Sequence, residues 1–366
     1  MKKIVVLIVL ILLFSVSVSA TENIYEDTAS ELELEQLEDI LPDEVKDFFR
    51  ENDININDSE WNKNLDTKSV FSHIFSFIKT KGVAPMRALA LIAGVMIFSA
   101  VVDSFATQNT ELTSSLQFIF AVIVSLSIAD GVISVINAAV DAIHGTATFM
   151  LSFIPVYSGI VLLSGSPSAS FVSGGLMLLA AEAIVQVSSF IIVPLMCAYF
   201  GLGLASGVSP LIADNGLTKA VKNIALWLLA LTFTVFAGLL AIQTTFSSAA
   251  DTVGTKTAKF FISSFVPVAG PALSEALNVV TTSVSLLKSS VGIYAVVAIA
   301  LILIPIIIEL VLWRVVISLS SGVANIFSLK SVGVLKAVDS LLSVLIGMIL
   351  FVGAIFIISI AILIKR

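Results

Sequence analysis

Long apolar runs separated by short polar segments dominate the chain. Six of these runs have about the 20 apolar residues that a helix needs to cross a bilayer. They are Ala88–Ala106, Leu116–Ile136, Leu176–Phe200, Ile224–Phe246, Val291–Trp313 and Leu341–Ile364. Because every backbone polar group in lipid must be hydrogen-bonded within the protein, runs of this length predict helices rather than barrel strands. The pattern therefore predicts an all-α, polytopic helical membrane protein.

Composition supports a membrane location. The 366 residues are 58% hydrophobic and 12% charged, with a mean hydropathy of +1.08, whereas soluble domains carry about 25% charged residues. The charge is also unevenly placed, because residues 21–70 hold 16 of the 26 acidic residues and only four of the 19 basic ones. No basic face is available to neutralise phosphates, so nucleic acid is excluded as a partner.

The N-terminal 66 residues predict two segments. Residues 1–20 have the form of a signal peptide, since Lys2 and Lys3 precede an apolar run that ends in small residues; an uncleaved anchor is the alternative. Residues 21–66 would then be an acidic extracytoplasmic region. Apolar positions at helical spacing predict a helical hairpin that leans on the membrane helices or on a partner, with a solvated spacer as the alternative. These positions are Leu34, Leu37, Leu41, Val45, Phe48 and Phe49.

A pattern that occurs twice predicts an internal duplication. Residues 146–156 match residues 257–268, and both end in Phe-(Ile/Val)-Pro-Val. Pro194 then corresponds to Pro305, and a Gly-x-x-Lys-Ala-Val element occurs at 216–221 and again at 333–338. Ordered matches of this kind are typical of duplicated membrane units, although coincidence in so apolar a chain is the alternative. The predicted boundaries are 67–140 for the first transmembrane helices, 141–247 for repeat A and 251–366 for repeat B.

Two further segments, Phe149–Leu163 and Phe260–Leu287, carry the duplicated proline motif and could add crossings, for a total of six to eight. Proline removes a helix donor, and the carbonyl that it frees is tolerated in lipid only beside protein or water. We therefore expect broken or re-entrant helices that line a path, with ordinary proline-kinked spans as the alternative. The expected break points are Pro155, Pro194, Pro267 and Pro305.

Ionisable residues within the spans are candidates for function, because charge in hydrocarbon is costly. Asp103, Asp130, Glu182, Glu309 and Arg314 are of this kind. Glu309 and Arg314 are five positions apart on one helix and are therefore poor direct partners. The alternative for each carboxylate is a protonated group or a pairing between helices.

The sequence contains no pattern that is typical of an enzyme. Its single cysteine, Cys197, and its two histidines, His73 and His144, are too few for a metal centre or a disulfide framework. A P-loop and the G-x-S-x-G spacing of a nucleophile elbow are both missing from the sequence. We therefore expect no cofactor, no metal site and no catalysis.

The signal, the acidic region with Leu41-Pro42, and the duplicated Phe-(Ile/Val)-Pro-Val and Lys-Ala-Val elements together resemble the stage III sporulation protein AE family. The resemblance implies a polytopic protein of the mother-cell membrane that surrounds the forespore. It also implies a permease-like subunit in a transenvelope complex that is likened to secretion systems and supports forespore development. The expected partners are other stage III sporulation membrane proteins, including a secretion-type ATPase subunit, together with the lipid bilayer and further copies of the chain.

Three functions are consistent with these patterns. The leading hypothesis is a permease-like channel or export-gate subunit, because of the duplicated proline segments and the missing nucleotide site. A stand-alone secondary transporter would need a mid-membrane site, for which Asp130, Glu182 and Glu309 are the candidates. A membrane scaffold that only recruits partners is the third.

Overall fold

A computed structural model describes residues 22–58, 60–105, 110–164, 167–208, 216–239, 270–327, 329 and 331–364. The predicted signal peptide and Pro267 lie outside these residues. The described helices are α1 Glu22–Glu31, α2 Glu35–Asp39, α3 Asp43–Glu51, α4 Thr67–Lys81, α5 Val83–Phe105, α6 Thr110–Leu163, α7 Pro167–Val187, α8 Val193–Val208, α9 Gly216–Leu239, α10 Gly270–Ile326 and α11 Val332–Ile364. A 3-10 turn at Trp61–Asn64 precedes α4, and a π-helical turn at Ser188–Ile192 joins α7 to α8.

Six stretches of the described helices are long and apolar enough to cross a membrane, and each overlaps one of the six predicted spans, with different bounds. They are Lys68–Val102, Ser114–Leu163, Gly174–Ala205, Gly216–Leu239, Thr282–Ile326 and Val332–Ile364. The described residues contain helices and no strand. The predicted all-α, polytopic fold class is therefore confirmed.

The expectation of broken helices at Phe149–Leu163 and in the described part of Phe260–Leu287 is wrong. The first segment is the end of the continuous helix α6, and residues 270–287 are the beginning of the continuous helix α10. Pro155 and Pro305 both lie inside these helices. Residues 149–163 and 270–287 are therefore parts of longer helices rather than separate elements.

Packing explains why α6 continues through Pro155. Phe149, Phe153 and Tyr157 are spaced four residues apart on its buried face, and their rings follow one another at centroid distances of 5.9 and 5.1 Å. Side chains four positions apart lie above one another on a helix. This ladder holds the turns on both sides of the proline, whose own side chain is exposed. The Tyr157 hydroxyl also donates to Lys288 O of α10 at 3.3 Å, so this face is held both within α6 and against α10.

The two longest helices exceed the thickness of a bilayer. The apolar stretch of α6, Ser114–Leu163, has 50 residues, which is about 75 Å at 1.5 Å per residue. The hydrocarbon core of a bilayer is only about 30 Å thick. A straight α6 therefore extends well beyond the hydrocarbon core, and the same holds for the 45-residue apolar stretch of α10.

Helices α10 and α11 form the centre of the fold and are closely packed. A Cβ added at Gly353 on α11 would lie 2.7 Å from Leu303 Cδ1 on α10, and one added at Gly292 would lie 2.5 Å from Ile364 Cγ1. Small residues allow this close approach between helices in a membrane. The seam between α10 and α11 is consequently filled at both of these levels and leaves no space there for a path.

The acidic N-terminal region packs against the start of the apolar stretch of α10. Phe49 on α3 contacts Tyr294 with ring centroids 4.8 Å apart, and Trp61 meets the same tyrosine edge-on at 5.8 Å. Tyr25, Leu34, Leu37 and Phe48 are also fully or almost fully buried. The region is thus a small helical cap on α10, and its extracytoplasmic position stays a prediction.

The internal duplication also stays a prediction. The matched Gly-x-x-Lys-Ala-Val element is helical in both halves, within α9 at 216–221 and within α11 at 333–338. However, the predicted boundary between 67–140 and 141–247 falls inside α6. Residues 257–268, the second copy of the proline motif, lie outside the described residues.

Candidate functional site: a polar stripe on two membrane helices

One face of α6 carries a row of polar side chains. Six polar residues recur at intervals of three and four, which places them on one side of a helix with 3.6 residues per turn. They are Asp130, Ser134, Asn137, Asp141, His144 and Thr148. His144 is half-buried and the other five are exposed. We call these six residues, with the three residues of the next paragraph, the polar stripe.

The next helix extends this row sideways. Glu182 and Gln186 lie on α7 and Ser189 lies in the π-helical turn, again at helical spacing. His144 Nε2 is 2.6 Å from Ser189 Oγ, which joins the two rows directly. Gln186 Nε2 donates to Glu182 Oε1 at 2.6 Å. The polar stripe therefore spans two antiparallel helices.

Two contacts fix the register between α6 and α7. The first is the His144–Ser189 hydrogen bond, and the second is the close approach of Gly174 to Ser158, whose Oγ would lie 2.5 Å from a Cβ at that glycine. In an antiparallel pair with this register, Glu182 and Gln186 lie level with residues 146–151 of α6. The two rows thus run side by side over the middle of α6.

Pro194 accounts for the π-helical turn. A proline has no N–H, so the carbonyl four residues before it loses its usual helical donor. Just before Pro194 the hydrogen bonding widens, and the Val193 N–H donates to Ser188 O, five residues back. Such π-bulges are frequent at functional sites. Of the four predicted break points, Pro194 therefore adjoins a real irregularity, Pro155 and Pro305 do not, and Pro267 lies outside the described residues.

Large apolar side chains lie next to the polar stripe. Phe190 in the π-helical turn is 73% exposed, and Leu179, three residues before Glu182 on α7, is 67% exposed. A surface that faced water on all sides would not present such residues next to one another. A charged side chain facing lipid costs roughly 2.5–3.5 kcal/mol at the bilayer centre. The mixture of polar and large apolar side chains fits a pair of helices whose exposed surface contacts water in one part and lipid or protein in another.

The sequence profile of stage III sporulation protein AE (spore_III_AE) matches residues 43–366, which is most of the chain. The chain belongs to the stage III sporulation protein AE family. The stage III sporulation protein AE of Bacillus subtilis (strain 168) is 25% identical over 290 residues, which cover 75% of this chain and 71% of the relative. No solved structure matches the chain.

Membership of the stage III sporulation protein AE family, together with the six apolar helices, makes this chain a multi-pass membrane protein of sporulation. The family resemblance inferred from the sequence is confirmed. The individual site residues are not assigned by the family match, so their roles are judged from their positions.

Two of the predicted site residues in this family member hold helices together. Glu309 on α10 pairs with Lys81 at the end of α4, with Oε2 and Nζ 3.6 Å apart. Arg314 pairs with Asp339 on α11, with Nε and Oδ1 3.3 Å apart. Glu309 and Arg314 are thus ion-paired between helices. Asp130 and Glu182 differ from them, because both lie exposed on the polar stripe.

Sequence reasoning missed most of the polar stripe. It singled out charged residues span by span and therefore left out Asn137, Asp141, His144 and Gln186. Asn137 and Asp141 fall between the two predicted pieces of α6, and Gln186 is uncharged. The missing signal was the periodicity itself, since the intervals of three and four are visible in the sequence once α6 is treated as one helix.

Proposed function

We propose that the protein is a permease-like channel or export-gate subunit, and that the polar stripe lines its aqueous path. The complex would connect mother cell and forespore and support forespore development. The chain would lie in the mother-cell membrane around the forespore, with residues 21–66 on the extracytoplasmic side. Its partners would be other stage III sporulation membrane proteins, including a secretion-type ATPase subunit.

The polar stripe is the observation that carries this proposal. It places nine polar side chains in a row on helices that are otherwise apolar, and their exposure in lipid would be costly. Because the α10–α11 seam is filled at Gly353 and Gly292, we place the path on the outer side of α6 and α7. The open side of the path would then be covered by another copy of the chain or by a partner subunit.

Cysteine accessibility tests the proposal. In a Cys197→Ala background, single cysteines replace Asn137 and Thr148 on the polar stripe. The control position is Leu231, which is 43% exposed on α9, a helix that contributes no residue to the stripe. Membranes from sporulating cells are treated with a membrane-impermeant maleimide. We expect labelling at positions 137 and 148 and protection at 231, because maleimide reacts with thiolate in water. Labelling at 231 with protection at both stripe positions would contradict an aqueous path along this face.

Two experiments distinguish a channel from a stand-alone transporter and from a scaffold. They are removal of the carboxylates of Asp130 and Glu182, and measurement of ion flux. A stand-alone secondary transporter would use Asp130 and Glu182 as its ion site, so Asp130→Asn combined with Glu182→Gln should abolish its function. A channel or gate should keep conducting in that variant, because its path needs polar lining rather than one ion site. A scaffold would show no ion flux with or without its partners.

A further inference from the structure

We infer that the path along the polar stripe admits cations and rejects anions. The inference rests on the proposed function and adds the class of solute that the path favours. Its basis is the sign of the charges on the stripe and the lack of any Lys or Arg in residues 88–218.

Every side chain with a full charge on the stripe is acidic. Asp130 and Asp141 on α6 and Glu182 on α7 are all exposed on this face. The sequence contains no Lys or Arg between Arg87 and Lys219, so α6, α7 and α8 supply no basic group of their own. His144 is the one further titratable group on the stripe, and it is hydrogen-bonded to Ser189.

Bases on other helices make no ion pair with the stripe among the described residues. Arg87 on α5 is exposed and belongs to none of the ion pairs found there. Lys81 is paired with Glu309 on α10, and Arg314 is paired with Asp339 on α11. Lys288 of α10 is 5% exposed, and its backbone carbonyl accepts from Tyr157 on the face of α6 opposite the stripe. Among the described residues, no ion pair joins a base to Asp130, Asp141 or Glu182.

The acidic groups are distributed along the axis rather than gathered at one point. Asp130 and Asp141 are 11 residues apart on α6, which is about 16 Å along a helix. Glu182 lies further on, level with the segment near residue 150. Carboxylates repeated along a low-dielectric wall focus the field and concentrate counter-ions, and acidic rings select cations in channels.

Reversal potentials of the reconstituted complex test the inference. The complex is placed in a planar bilayer under a KCl gradient, and we expect the reversal potential to lie near that of potassium. The triple variant Asp130→Asn, Asp141→Asn, Glu182→Gln should lose this preference several-fold. A matched triple variant that removes the same charge from α3, Asp43→Asn, Asp47→Asn, Glu51→Gln, should keep it.

The outcomes separate the two proposals. Conductance that prefers chloride, or that keeps its potassium preference in the stripe variant, overturns the inference and leaves the channel function standing. A complex without any conductance contradicts the channel and, with it, this inference. A second measurement uses a cysteine at position 137: a cationic methanethiosulfonate should react several-fold faster than an anionic one, and equal rates would count against an acidic path.

Discussion

Trp61 Nε1 donates a hydrogen bond to Ser290 Oγ at 2.7 Å and thereby fastens the acidic cap to α10. The same hydroxyl lies 3.1 Å from Tyr25 Oη, which itself lies 2.9 Å from Ile56 O. Because each hydroxyl has one proton, the consistent arrangement is a relay in which Trp61 donates to Ser290, Ser290 to Tyr25, and Tyr25 to Ile56 O. The hydroxyl of Ser290 on α10 is thus hydrogen-bonded to two aromatic residues of the cap, Trp61 and Tyr25.

Replacing Ser290 by alanine should loosen the cap. The change leaves the indole N–H of Trp61 buried without an acceptor, since Trp61 is 1% exposed, and this costs about 1–3 kcal/mol. We expect faster tryptic cleavage at Arg50 and Lys63 in detergent-solubilised protein. Ser289→Ala, at the half-buried neighbouring position, is the control and should behave as wild type. Equal cleavage of both variants would show that the relay does not hold the cap.

The docking of the cap should weaken in alkaline solution. Burial raises the pKa of Tyr25 to about 12 from its ordinary value of 10.0. The folded state then holds the proton more tightly than the unfolded state, so the stabilisation is complete below pH 10 and is lost as the pH rises towards 12. The temperature of thermal unfolding in detergent should fall over that interval. Tyr25→Phe should remove this dependence, and an unchanged alkaline transition in that variant would assign it to another group.

Close contact between α6 and α10 depends on Gly131. A Cβ added there would overlap the indole ring of Trp313, which is 2% exposed and has no room to withdraw. We expect Gly131→Ala to destabilise the protein by about 1–3 kcal/mol, as overpacking does. Gly175→Ala on α7 is the matched control, because nothing lies within 4 Å of its added Cβ, and alanine should stabilise that helix by up to about 1 kcal/mol. Thermal unfolding in detergent distinguishes the two variants.

The membrane helices were predictable because a bilayer imposes a length and a composition that any stretch of about 20 apolar residues reveals. The continuity of α6 and α10 was not predictable in the same way. Pro155 and Pro305 argue locally for breaks, yet both lie inside continuous helices. The ring ladder of Phe149, Phe153 and Tyr157 is evident only when α6 is known to be one helix.

The candidate site was predictable in part. Asp130 and Glu182 stand out as charges within apolar spans, but so does Glu309, and nothing local distinguishes them. The difference is that Glu309 has a distant partner, Lys81, whereas the other two share a face with amides and hydroxyls. A pairing between α4 and α10 depends on the chain's path in space and has no local sequence signal.

The ion pair between Lys81 and Glu309 gives the last prediction. Lys81→Met would leave the Glu309 carboxylate, only 13% exposed, without its partner. We expect a loss of about 1–3 kcal/mol, less than the roughly 3–5 kcal/mol for fully buried pairs, because the lysine side chain itself is 33% exposed. Thermal unfolding in detergent measures the loss.

The control is Lys79→Met, which changes an exposed lysine on the same helix and should have little effect. Adding Glu309→Gln to Lys81→Met should restore most of the stability, since the neutral amide avoids an unpaired charge. If the double variant is as unstable as Lys81→Met alone, the lysine stabilises the contact between α4 and α10 through the packing of its aliphatic chain and not through the ion pair. Glu309 would then again be a candidate for a functional role.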